Sequence, residues 1–216
     1  IQALGRLEKF RREYPATLDE AFQSDLDQAL WSRDMIAENR IDADHVPALS
    51  RVIVAIDPAV TNHRTSDETG MIVAGLGVDQ HIYILADLSG VMSPSQWAKK
   101  AVAAYHKYQA DRIVAETNQG GDMVEAVIRT EDTHVSFKKI YASRGKYIRA
   151  EPVAALDEQG KIHHVGYFPK LEDQMCIFTQ DQKMKTSPDR VDARVWAVTE
   201  LMSWHGRSGP QIWMSC

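Results

Sequence analysis

Acidic residues follow two apolar segments of this sequence, at the point where each segment ends. Asp57 comes directly after Val52–Ile56, and Glu116 comes directly after Ile113–Ala115. Acids often end strands because such positions are solvated, but a fully apolar run before each of these two makes that explanation weaker. If the two runs are neighbouring strands of a mixed sheet, their carboxylates meet at one edge.

Two further acids, Asp189 and Asp192, open the last helical segment of the chain. Asp189 suits the first turn, where the helix dipole favours negative charge. Asp192 lies between Val191 and Val195, close to the apolar face. Three or four clustered carboxylates repel one another and need cations to coexist. Hard divalent ions such as Mg²⁺ or Mn²⁺ suit oxygen ligands. A pair of such ions about 3.5–4 Å apart supports in-line attack on a phosphodiester.

The elements that must position these acids form the order βββ-α-β-α-β-α, then a hairpin and a final helix. Continuous apolar runs predict buried strands, and apolar residues at helical spacing predict helices. The predicted strands are Val52–Ile56, Gly70–Val78, His81–Leu88, Arg112–Ala115 and Val135–Ile140, with a small strand or hairpin at Lys161–Phe168. The predicted helices are Ser93–Ala110, Asn118–Arg129, Val153–Leu156 and the segment from Pro188 onward. An antiparallel meander followed by β-α-β crossovers predicts an α/β fold with a mixed sheet flanked by helices.

The first 50 residues differ from the rest, since they are rich in charge and lack β-branched runs. Two helical stretches are predicted, around Leu4–Phe10 and over Leu18–Trp31, with a linker at Asp42–Pro47 and no strand. Trp31, Trp97 and Trp196 lie on helical faces, which predicts that they are core residues.

Composition narrows the function classes. The chain has 216 residues with 25 basic and 30 acidic side chains, a net charge of −5, which excludes a globally basic nucleic-acid binder. Cys176 and Cys216 provide neither a disulfide framework nor a CxxC zinc site, and a reducing cytosol fits them. No apolar run approaches the roughly 18 residues of a membrane helix, and no secretory signal is recognised. The absence of an initiator Met suggests a fragment of a longer protein.

Three stretches resemble motifs of the ribonuclease H-like nucleases, and more closely the C-terminal nuclease domain of phage large terminase subunits. They are Ile56–Ala59 with Asp67–Gly70, then Ala115–Gly121, then Ser187–Ala193. The segments Lys146–Pro152 and Gly160–Gly166 also resemble that family. Each motif is short, but their order and spacing together are fairly specific and cover most of residues 51–205.

The resemblance implies a ribonuclease H-like fold and a metal-dependent endonuclease that cuts concatemeric double-stranded DNA. It implies that Asp57, Glu116 and Asp192 hold two Mg²⁺ or Mn²⁺ ions, which activate a water and stabilise the leaving oxygen. The same resemblance implies that Asp189 is a secondary metal ligand. Asp67 is a further candidate, for which a solvated loop acid is an equal alternative.

The resemblance also implies how the chain is divided. Residues 1–50 resemble the tail of the terminase ATPase domain and a linker, residues 51–206 the nuclease domain, and residues 207–216 a C-terminal tail. No GxxxxGK[ST] phosphate loop is present, so no ATP site is expected in this chain. Expected partners are double-stranded DNA and, in the full protein, the ATPase domain, the portal and the small terminase subunit. The isolated domain is expected to be monomeric, in the host cytoplasm and without membrane contact.

A basic stretch of five cations within twelve residues lies between the second and third motifs. It predicts contacts to DNA phosphates, with a solvated strand end and loop as the alternative. Lys146 is also a candidate for neutralising charge in the transition state. The five cations are Lys138, Lys139, Arg144, Lys146 and Arg149.

Two alternatives to a terminase nuclease stay open. One is another ribonuclease H-like enzyme of the resolvase or integrase type. The other is a catalytically silent module of the same fold that docks on DNA or on the portal. If Asp57, Glu116 and Asp192 lie far apart in the structure, the nuclease interpretation fails.

Overall fold

The computed structural model describes residues 29–58, 68–118, 121–180 and 187–204. The first predicted helix, nearly all of the second, Asp67 and the C-terminal tail lie outside the described residues.

A seven-stranded mixed sheet forms the centre of the fold. Its order is β1-β7-β4-β3-β2-β5-β6, in which β2–β3 and β3–β4 are antiparallel and the other four neighbouring pairs are parallel. The predicted antiparallel meander and the parallel crossovers are therefore confirmed. The strands are β1 (Arg40–Ile41), β2 (Leu49–Asp57), β3 (Gly70–Gly77), β4 (Ile82–Asp87), β5 (Arg112–Glu116), β6 (Phe137–Ile140) and β7 (Ile162–Val165).

Helices cover both faces of this sheet. In the described residues they are α1 (Arg33–Glu38), α2 (Pro94–Lys107), α3 (Gly121–Glu131), α4 (Lys146–Glu158), α5 (Pro169–Cys176) and α6 (Asp189–Met202). The helices α2 and α3 share one hydrophobic core with the sheet, and α1, α4, α5 and α6 share the other. No helix in the described part of the chain is both long enough and apolar enough to cross a membrane.

The first predicted strand shows why the sheet is buried on both sides. Successive side chains of a strand point to opposite faces. Val52, Val54 and Ile56 accordingly enter the core under α2 and α3, while Ile53 and Ala55 enter the other core. A continuous apolar run is therefore what this central position requires.

Some local predictions were wrong. Residues 40–41 form a short strand where none was expected, because they pair in parallel with β7. Of the two alternatives for Lys161–Phe168, the small strand is confirmed and the hairpin is not, since β7 is a single strand between β4 and β1. Helix α4 begins at Lys146 rather than near Val153, so part of the basic stretch is helical. Helix α5 was not predicted.

Part of the segment before Leu49 packs on the sheet. Trp31 and Ile36 are buried in the core that also holds α4 and α6. The Trp31 Nε1–H donates to Asp157 Oδ2 at 2.6 Å, and Asp157 also pairs with Arg194. The segment before the first central strand thus contributes side chains to the core. The predictions that Trp31, Trp97 and Trp196 are core residues are confirmed by their burial.

Gly70, the first residue of β3, permits close contact between the sheet and the start of α6. A Cβ at this position would lie 1.9 Å from the Asp189 carbonyl oxygen, which is backbone and cannot move aside as a flexible side chain can. We expect Gly70→Ala to lower the free energy of unfolding by at least about 2 kcal/mol, because overpacking here displaces a helix. Gly90→Ala is the matched control, since a Cβ there meets nothing within 4 Å. Thermal melts check this expectation, and equal melting temperatures for the two variants would contradict it.

Candidate active site

The register between β2 and β5 brings the first two acids together. These strands are parallel neighbours, and Ile56 pairs with Ala115. Asp57 and Glu116 follow at the next position of each strand, so they lie side by side at the same edge of the sheet. Both residues are partly exposed at this edge, whereas the residues before them are buried.

Helix α6 brings the third acid to the same edge. It packs across β2 and β3, and Asp192 is 2% exposed in its first turn. The prediction that Asp192 lies near the buried face is confirmed. Asp189, at the first helical residue, is close enough to act on the Asp57 charge. The structure therefore brings Asp57, Glu116, Asp192 and Asp189 together, and Asp67 lies outside the described residues.

The electrostatics of Asp57 show how crowded this edge is. Burial raises the pKa of the Asp57 carboxyl well above its usual range, and the negative charges of Asp192 and Glu116 raise it further. Burial also raises the pKa of Asp192, which Lys146 partly offsets. Both shifts mean that the ionised forms are disfavoured without added positive charge.

Two cations from the first turn of α4 provide part of that charge. Lys146 Nζ lies 2.5 Å from Asp192 Oδ2 and 3.0 Å from Ser187 Oγ. Burial alone would lower the pKa of Lys146, but the Asp192 carboxylate outweighs it and raises that pKa. Arg149 Nη2 lies 3.3 Å from Asp192 Oδ1, and its Nη1 lies 3.6 Å from Glu116 Oε2. These two residues were predicted as DNA contacts, and in the structure they point at the carboxylates.

The other three cations of the basic stretch lie elsewhere. Lys138 and Lys139 are neighbours on the edge strand β6, so their side chains point to opposite faces of the sheet. Lys138 pairs with Glu200 of α6 at 2.7 Å, and Lys139 pairs with Asp122 of α3 at 2.8 Å. Arg144 is exposed in the loop before α4. The predicted DNA contacts of these residues stay predictions.

Sequence reasoning missed two contributors to the site. Trp196 donates its Nε1–H to Glu116 Oε2 at 2.8 Å, although its position predicted only a core residue. Arg190 joins Glu68 at 2.8 Å and Asp87 at 2.5 Å, which ties the first turn of α6 to the residues before β3 and to the end of β4. The spacing of four residues between Asp192 and Trp196 places both on one helix face, and is the signal that could have revealed the indole.

The oxygens of Asp57, Glu116 and Asp192 are not all within 4.8 Å of one another. Among the described residues, the group that meets this spacing is Asp42, Asp44 and His45, which is fully exposed. Oxygens that bind one ion at about 2.1 Å are at most about 4.2 Å apart. Asp57, Glu116 and Asp192 therefore suit either two ions or one ion reached by a small side-chain movement.

The strand order, the helices on both faces and the acids at one edge define a ribonuclease H-like domain. The chain belongs to the terminase RNase H-like domain family, whose model matches residues 54–201. The predicted fold class and family are confirmed.

Solved structures agree with this assignment. The P22 large terminase nuclease domain shares 13% identity over 79% of this chain and 91% of its own, with a TM-score of 0.60. A mutant nuclease domain of the large terminase subunit of bacterial virus Sf6 with manganese shares 13% identity over 78% of this chain and 97% of its own, with a TM-score of 0.57. A large terminase from a thermophilic bacteriophage shares 14% identity over 82% of this chain and 46% of its own, with a TM-score of 0.59. A search of curated proteins finds no match.

Proposed function

We propose that this domain is the metal-dependent endonuclease of a viral DNA-packaging terminase, and that it cuts concatemeric double-stranded DNA. The observation that carries the proposal is the convergence of Asp57, Glu116 and Asp192 at one edge of the sheet. Burial and mutual repulsion raise the pKa of Asp57, so its ionised form needs more positive charge than the neighbouring cations supply. A divalent ion supplies the missing charge.

The candidate ligands are all carboxylates. This donor set fits Mg²⁺ or Mn²⁺, because hard divalent ions prefer oxygen ligands. The separation of the three carboxylates is compatible with two ions, with Asp189 as a further donor. When bound, such ions supply an activated water and stabilise charge on the leaving oxygen. The Sf6 relative with manganese supports the same metal class here.

The chain's own cations would act on the DNA. Lys146 is 42% exposed and sits on a flexible stem, so its ammonium group can exchange Asp192 for a phosphate oxygen. Arg144 is exposed just before α4 and can contact the DNA backbone without reading bases. Lys138 and Lys139 would contact DNA only by leaving their carboxylate partners, which makes them weaker candidates.

We propose that the full-length protein also contains an ATPase domain, since this chain spans 46% of the thermophilic bacteriophage terminase, which has also been solved in complex with ADP. In that context the domain would act with the portal and the small terminase subunit in the host cytoplasm. We propose that the isolated domain is a monomer that needs no ATP for cleavage.

The alternatives have less support. A resolvase or integrase of the same fold would share the carboxylates, but the family assignment favours terminase. A silent docking module would have no need to place repelling carboxylates beside one another.

The test is cleavage of supercoiled plasmid by the purified domain. We expect nicked and linear products with Mn²⁺ or Mg²⁺ and no products in EDTA, because the proposed mechanism needs a divalent ion at the three acids. We also expect no dependence on ATP. Products in EDTA would contradict a metal-dependent mechanism. Intact plasmid with either metal, in a protein shown to bind DNA, would favour the silent module.

A further inference from the structure

The indole of Trp196 contacts a proposed metal ligand from within the core. Trp196 is 5% exposed, and its Nε1–H donates to Glu116 Oε2 at 2.8 Å. Trp196 follows Asp192 by one turn of α6, so one helix face presents both a carboxylate and the donor that holds another carboxylate. A buried indole needs a hydrogen-bond acceptor, and here that acceptor belongs to the site.

Arg149 lies over the face of the Trp196 ring and also approaches Glu116. Its guanidinium carbon lies 4.4 Å from the centre of the Trp196 ring, and its side chain is 10% exposed. Its terminal nitrogens face Asp192 Oδ1 at 3.3 Å and Glu116 Oε2 at 3.6 Å. Its Nε and Nη1 are buried without a hydrogen-bond partner. A core position does not explain this arrangement, because unsatisfied buried donors cost stability.

The contacts leave the two oxygens of Glu116 in different surroundings. Trp196 and Arg149 both approach Oε2, which fixes the orientation of the carboxyl group. In metal sites, carboxylate ligands are commonly oriented by hydrogen bonds from residues that do not themselves bind the ion. The same arrangement here would leave Oε1 of Glu116 as the oxygen available to an ion.

We propose that Trp196 is a positioning residue for Glu116, with Arg149 stacked on its ring to link Glu116 to Asp192. This inference rests on the proposed function, because it assumes that Glu116 binds the metal. Loss of such an orienting contact typically lowers metal affinity 10- to 100-fold. Trp196→Phe retains an aromatic ring under Arg149 and removes the N–H donor.

Trp31→Phe is the matched control. Trp31 is 1% exposed and its Nε1–H donates to Asp157 Oδ2 at 2.6 Å, so this variant also removes an indole donor from a buried carboxylate. Asp157 lies in the last turn of α4, about 12 Å along the helix from Arg149. Both variants should lose comparable stability, and only Trp196→Phe should lose metal affinity.

The experiment is a calorimetric titration of the full chain with Mn²⁺. We expect Trp196→Phe to bind 10- to 100-fold more weakly than wild type and Trp31→Phe to bind like wild type. Unchanged affinity in Trp196→Phe, or an equal loss in Trp31→Phe, would overturn the positioning role while leaving the nuclease proposal intact. Absence of Mn²⁺ binding by wild type would instead overturn both.

A second measurement serves if Trp196→Phe does not fold. In wild type, the indole N–H resonance of Trp196 is expected to shift on addition of Mg²⁺, while that of Trp31 stays in place. A Trp196 resonance that does not move at saturating Mg²⁺ would contradict contact between the indole and a metal ligand.

Discussion

Replacing Asp57 with Asn is expected to lower the rate of Mn²⁺-dependent plasmid cleavage by about 1,000-fold or more. Metal ions contribute several kcal/mol of transition-state stabilisation, and each 1.36 kcal/mol corresponds to about a factor of ten in rate. Asp57 lies beside Glu116 and acts electrostatically on Asp192, so its loss affects the whole cluster. Single-turnover cleavage under saturating Mn²⁺ measures the effect.

Asp173→Asn is the control for that experiment. Asp173 is a 60% exposed carboxylate on α5, and its side chain pairs with Arg33 rather than with a cation of the proposed site. This variant should cleave at the wild-type rate. Cleavage at the wild-type rate by Asp57→Asn would contradict a role of Asp57 in the reaction.

The same Asp57→Asn substitution is expected to raise the melting temperature of the metal-free protein at neutral pH. Because the pKa of Asp57 is raised in the folded state, the folded protein holds this proton more tightly than the unfolded chain. Stability is therefore lost as pH rises from about 4 through the raised pKa, and Asn avoids that loss. Each unit of pKa shift corresponds to about 1.4 kcal/mol, or several degrees for a domain of this size.

Melting curves in EDTA across a pH series test this expectation. The variant and wild type should melt together near pH 4 and diverge as pH rises, whereas saturating Mn²⁺ should stabilise wild type and narrow or reverse the difference. The melting temperature of Asp192→Asn should rise less than that of Asp57→Asn, because this substitution also removes the partner of Lys146 and Arg149. A constant difference at all pH values would contradict repulsion as the cause.

The sequence allowed the position of each acid to be predicted, because strand ends and apolar periodicity are local signals. Asp57 and Glu116 follow continuous apolar runs, and Asp192 interrupts an apolar helix face. The family resemblance then indicated which of these acids act together. Residue spacing alone does not determine the register between β2 and β5, which makes the first two acids neighbours.

The contacts of the cations could not be predicted in the same way. Lys146 and Arg149 belong to a helix whose start was missed, and their partners are more than 30 positions away in the chain. Lys138 and Lys139 sit on an edge strand, and only the helices that cover its two faces reveal that each has a carboxylate partner. Long-range packing, rather than local composition, decides which basic residues face the acids.

The position of Mn²⁺ in a crystal of this chain tests most directly the claim that Asp57, Glu116 and Asp192 form a metal site. Anomalous scattering should place Mn²⁺ at about 2.1 Å from oxygens of these three carboxylates, with Lys146 moved away from Asp192. Mn²⁺ bound only at the exposed group of Asp42, Asp44 and His45, with Asp57, Glu116 and Asp192 left without an ion, would contradict it.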